Sequence, residues 1–106
     1  MTILESLQGM INDFNPASAK GVNAVVQLNA SGDGGGNYSM KIEDGKVDLK
    51  EGVAESPSVT INVAANDWLD ITSGKLDPTK AFMTGKLKVA GDLGLMMRFQ
   101  RMFMAG

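Results

Sequence analysis

Apolar residues recur along this chain at two spacings, and the changes of spacing divide it into elements. Leu4, Leu7, Ile11 and Phe14 follow the period of one helical face. Thr2 and Glu5 stand at capping-box spacing just ahead of that run. A helix is therefore predicted over residues 3–13. Asn15-Pro16 ends it, because the residue before proline is driven out of the helical region. A short helical turn is read at Ala17 to Gly21. From Val22 the period becomes two. Ala24, Val26, Leu28 and Ala30 alternate with Val25, Gln27, Asn29 and Ser31. After Gly32-Asp33-Gly34-Gly35-Gly36, Tyr38, Met40 and Ile42 alternate with Ser39, Lys41 and Glu43. Two alternating runs around a glycine-rich connector predict a hairpin. Asp44-Gly45 is a second tight-turn signal, and Val47 and Leu49 then alternate with Lys46, Asp48 and Lys50 as a third strand. Each strand has one apolar and one mostly polar face. The sheet is thus expected to be largely antiparallel, covered on one side and open to water on the other.

Gly52 to Pro57 reads as a connector, and Val59, Ile61 and Val63 as a fourth strand. Asn66 is placed to cap a short helix carrying Trp68, Leu69 and Ile71, stopped by Gly74. Asp77-Pro78 starts another, with Asp as cap and proline in the first turn. Ala81, Phe82 and Met83 are expected to fill its face, and Gly85 to end it. Lys86-Leu87-Lys88-Val89 alternates as a fifth strand, and Asp92 caps a final helix. This order describes a single α+β domain over residues 1–106, with its helices sharing one face of the sheet.

The final run is unusual. At 100° per residue, Leu95, Met96, Phe99, Met102 and Phe103 form one broad stripe, which Leu93, Met97 and Met104 widen past half the circumference. Only Gly94, Arg98 and Arg101 make a polar wedge. Such a surface must meet another helix, a second subunit or an apolar ligand. Four of the eight methionines lie between Met96 and Met104. They read either as packing filler or as an adaptable wall for a flexible alkyl chain, and the width of the arc favours the wall. Gln100 falls inside the apolar arc. A buried amide without partners costs about 1–3 kcal/mol, so it either bonds to backbone or faces a pocket and orients an apolar ligand there. Arg98 and Arg101 read as a solvated helix face, with contact to an anionic headgroup or membrane surface at a pocket mouth as the alternative.

Composition narrows the chemistry. With 43% hydrophobic and 21% charged residues the chain is of globular type. Its net charge of −2, with no basic run, excludes a non-specific nucleic-acid binder. It has no cysteine and no histidine, which removes zinc-finger, thiol and histidine-triad readings. No metal or cofactor is implied, and independent catalysis is not expected. The glycines Gly32, Gly34, Gly35 and Gly36 contain G-x-G, but a strand follows them where a phosphate site needs a helix, so a flexible hairpin loop is the reading. Asp67 and Asp70 are one turn apart, and a helix N-terminus accounts for them. The opening residues carry no leader pattern, and Met104-Ala105-Gly106 is not a peroxisomal tripeptide, so a cytoplasmic protein is expected.

Gly74-Lys75-Leu76-Asp77-Pro78, Ala81-Phe82, Gly85-Lys86-Leu87-Lys88-Val89 and Gly91-Asp92-Leu93-Gly94-Leu95 resemble the signature of the sterol carrier protein 2 family. Asp67-Trp68-Leu69 and the upstream hairpin match its layout more loosely. The resemblance implies an α/β sandwich: a five-stranded mixed sheet with helices on one face around a hydrophobic cavity. It implies binding and shuttling of fatty acids, acyl-CoA esters, phospholipids and sometimes sterols, without catalysis by the domain itself, although the domain is often fused to peroxisomal β-oxidation enzymes. By the same resemblance Gln100 occupies the position of a glutamine that faces the tunnel in some members. Phe82, Met83, Leu95, Met96, Phe99, Met102 and Phe103 are lining candidates, and Trp68 joins them as a ligand-binding candidate. The chain stops soon after its last helix, so the extra C-terminal lid of longer members is expected to be missing or shortened. Besides a lipid or fatty acyl ligand, transient membrane contact is an expected interaction. The competing reading is an interaction module, in which the apolar final helix forms a weak homodimer or docks onto an enzyme.

Overall fold

The computed structural model of the chain describes residues 2–12, 14, 21–95 and 98. Its elements are α1 (Ile3–Asn12), β1 (Ala24–Ser31), β2 (Gly36–Glu43), β3 (Lys46–Glu51), β4 (Val59–Ala64), α2 (Ala65–Thr72), α3 (Pro78–Met83) and β5 (Leu87–Gly91). Residues 93–95 are again helical. The strands form one sheet in the order β3-β2-β1-β4-β5. The central pair, β1 with β4, is parallel, and every other pair is antiparallel. The expected five-stranded mixed α+β architecture is therefore present. The helical turn read at Ala17 to Gly21 lies, but for Gly21, outside the described residues.

The register turns the alternating pattern into continuous apolar rows. Leu49, Met40, Val26 and Val59 stand side by side across four strands. Tyr38, Leu28, Ile61 and Val89 form the next row. Val47, Ile42 and Ala24 make a third, and Ala30, Val63 and Leu87 a fourth. Most of these residues are buried, and α1 and α2 add Ile3, Leu7, Met10, Ala65, Trp68 and Ile71 to the same core. Only Tyr38, Val47, Leu49 and Val89 in these rows are half-buried.

The N-terminal helix is capped as its sequence predicts. Thr2 N donates to Glu5 Oε1 at 2.9 Å, and Glu5 N donates to Thr2 Oγ1 at 3.1 Å. The Thr2 backbone N–H, with help from the Thr2 side chain, holds the Glu5 carboxyl below its ordinary value of 4.5, since a hydrogen bond donated to the carboxylate favours its charged form. The buried stripe is displaced from the expected one. Ile3, Ser6, Leu7 and Met10 face the core, while Leu4 is exposed and Ile11 and Phe14 are half-buried. The displacement has a polar cause: Ser6 is needed inside. The Trp68 indole N–H donates to Ser6 Oγ, and Ser6 Oγ donates to Ile3 O at 2.7 Å, so both buried polar groups are satisfied.

The second face of the sheet is not simply wet. β3 is an edge strand, and the chain must cross β2 and β1 to reach β4. The helices occupy the apolar face, so the connector crosses the polar one. Gln27 holds it there and is only 1% exposed. Its Oε1 accepts from Ala54 N at 2.7 Å, and its Nε2 donates to Gly52 O at 3.1 Å and to Asn29 Oδ1 at 3.0 Å. Gly52 N also donates to Asn37 O. Strand alternation alone put Gln27 in solvent; the crossover buries it.

One other local expectation is corrected. Asn66 is not the cap of α2: the N-cap position is Ala64, with no side-chain bond, because β4 runs into the helix without a break. Gly32 to Gly36 join β1 to β2 as the expected hairpin loop. The two strands pair up to Ala30 and Gly36, and a side chain on Gly35 would fall on Ala30 O, so glycine is required for the backbone to pass.

Candidate functional site

The segment from Gly74 to Leu95 carries the residues that resemble a family signature, and its geometry follows from two side-chain caps and the backbone bonds between them. Asp77 Oδ1 accepts from Thr79 N at 2.8 Å and starts α3 with Pro78 in its first turn. Lys86 N donates to Ala81 O at 2.9 Å, which ties the start of β5 to α3. Beyond β5, Asp92 Oδ1 accepts from Leu95 N at 3.1 Å, and this cap begins the final helix as its sequence predicts. Asp92 N in turn donates to Ser58 O at 3.1 Å. Gly91, at φ 106, lies so close to Ser58 O and Val59 that a side chain there would strike backbone. The start of the final helix is thereby fixed against the leading end of β4.

Trp68 is 1% exposed and sits in the core between α2 and α1. Leu95 is 9% exposed and belongs to the same core. Phe82 and Met83 are exposed, at 49% and 78%, and Leu93 at 55%. The expectation that Ala81, Phe82 and Met83 together fill the face of α3 is thus corrected: Ala81 alone is buried. Three successive residues span about 200° of a helix, so they cannot share one face. Met96, Phe99, Gln100, Met102 and Phe103 lie outside the described residues.

The chemistry available elsewhere is limited. Among the described residues no three acidic, histidine or cysteine side chains are grouped to hold a metal ion. No described helix is long and apolar enough to cross a membrane. Every buried side-chain polar atom among the described residues has a hydrogen-bond partner. A shallow depression on the β2–β3 hairpin is lined by Lys41, Glu43, Asp44, Lys46, Val47 and Asp48, too charged for an apolar guest. What sequence reasoning missed is Gln27, whose burial follows from the crossover and which no local pattern signals.

Comparison with known proteins returns the SCP-2 sterol transfer family, matched over residues 6–104. Hydroxysteroid dehydrogenase-like protein 2 of Xenopus tropicalis is 29% identical over 98 residues, covering 92% of this chain. The chain spans only 24% of that relative's length. Among solved structures, palmitated SCP2L2 of Aedes aegypti aligns with a TM-score of 0.75 and 27% identity, covering 95% of this chain and 93% of that one. A double mutant of the sec-alkyl sulfatase PisA1 aligns at a TM-score of 0.88, covering 100% of this chain and 17% of that one. At 17% identity the likeness to the sulfatase is one of fold alone.

Proposed function

The chain belongs to the SCP-2 sterol transfer family, and from that membership we propose that it binds and carries an apolar lipid between its final helix and the sheet, without catalysing a reaction itself. The cargo classes that fit are fatty acids, acyl-CoA esters, phospholipids and sterols. A long acyl chain is favoured by the likeness to the palmitated mosquito protein. The observation that carries the reading is the apolar face of the sheet, four rows deep, beside which Asp92 launches a run with more apolar surface than polar.

Burial of area supplies the affinity. Each buried methylene contributes about 0.8 kcal/mol, and ordering the chain takes back part of that. A long acyl chain then reaches micromolar affinity, about 8 kcal/mol, with few directional contacts. Leu95 with Met96, Phe99, Met102 and Phe103 would form the helix side of the wall, with Gln100 orienting the polar end of the guest. Trp68 would support the wall from the core.

Native mass spectrometry tests this directly. Freshly purified protein should carry co-purified lipid, and delipidated protein should take up a fatty acid at one equivalent. Protein that stays empty when offered fatty acids, acyl-CoA esters, phospholipids and sterols would overturn the reading.

A further inference from the structure

We propose that the end of α3 is a docking surface for anionic lipid bilayers, with Phe82 and Met83 entering the headgroup layer and Lys80 and Lys86 holding the acidic lipids. The helix is short but firmly placed. Ala81 is its one buried residue, the Asp77 side chain caps its start, and Lys86 N bonds back to Ala81 O. Thr84 Oγ1 closes its end by donating to Lys80 O at 2.8 Å. With Ala81 pinned inward, the next two residues are turned out, and both are large and apolar. Phe82 is 49% exposed and Met83 78%. Adjacent exposed residues of this kind, rimmed by polar ones, mark an interaction site.

Charge selects the occupant. Between residues 74 and 90 stand Lys75, Lys80, Lys86 and Lys88 against Asp77 alone, in a chain whose net charge is −2. Lys75, Lys80 and Lys86 are exposed. Basic residues around an apolar tip match an anionic membrane surface, where the apolar groups enter the headgroup boundary and the lysines meet lipid phosphates and carboxylates. A second copy meeting this patch with its own would set lysine against lysine. The inference rests on α3 and the adjoining Lys86, and does not require the chain to carry lipid.

The test is co-sedimentation of the full chain with vesicles of phosphatidylcholine, with and without about 30% phosphatidylserine, at low and high salt. The unaltered protein should partition onto the acidic vesicles at least tenfold more than onto neutral ones, and less at high salt. Phe82→Ser with Met83→Ser should lower that partition at least tenfold, and so should Lys80→Glu with Lys86→Glu. Emission of Trp68, the only tryptophan, verifies that each variant is folded. In solution, without vesicles, the lysine variant should load a fatty acid as the unaltered chain does, which separates this surface from the cargo site. Equal partition onto both vesicle types, retained partition by either folded variant, or a dimer that Phe82→Ser with Met83→Ser dissociates would overturn the proposal.

Discussion

The Trp68 indole nitrogen donates to Ser6 Oγ across 3.0 Å, joining α2 to α1 over 62 positions of sequence. Both residues are buried, and the Ser6 hydroxyl in turn donates its hydrogen bond to Ile3 O. Ser6→Ala would leave the indole N–H buried without an acceptor, at about 1–3 kcal/mol. Urea denaturation followed by Trp68 emission should show the midpoint fall with little change in slope.

Gln27 makes the second polar anchor, on the other face of the sheet. Gln27→Leu matches it in size but removes the acceptor from Ala54 N and the donor to Gly52 O. A loss of about 1–3 kcal/mol is expected. Faster amide exchange should centre on Ala54 in the connector, while the apolar rows remain protected.

Glu5 gives the N-terminal helix a pH dependence of known sign. Its carboxyl is held below 4.5 by the bonds with Thr2. A depressed acid stabilises the fold fully above its unfolded value and loses that contribution as pH falls through the folded value. The unaltered chain should therefore lose stability below about pH 4.5 more steeply than Glu5→Gln. Thermal melts of the two from pH 6 to 3 measure the difference, and an NMR titration of Glu5 locates the midpoint.

Phe99 belongs by sequence to the proposed wall. Phe99→Asp puts a carboxylate on the apolar stripe and should abolish fatty-acid uptake, read by native mass spectrometry, while Trp68 emission stays that of the folded chain. Unchanged uptake would place the cargo elsewhere.

Local pattern carried most of the fold. Alternation placed all five strands, Asp77-Pro78 and Asp92 placed two helix starts, and the Thr2–Glu5 pair placed a third. The signature residues Gly74 to Leu95 carried the family, because caps and turns there need particular residues at particular spacings. What local pattern could not carry depends on the path of the chain in space. Gln27 is buried by a crossover, Ser6 is inside because Trp68 comes to it from α2, and Phe82 and Met83 are outside because Ala81 has taken the inward position. Each is decided by a neighbour far away or by the exact turn of a short helix.

The parallel seam at the centre of the sheet bears on how the molecule assembles. β1 and β4 meet across 33 positions, and everything between them departs to one edge and returns over the polar face. The first three strands can zip from neighbouring turns, but the middle of the domain closes only when that long excursion comes home. Refolding should thus be paced by a late docking event, with Val25 and Ser58, which exchange two hydrogen bonds at the seam's mouth, among the last partners to find each other.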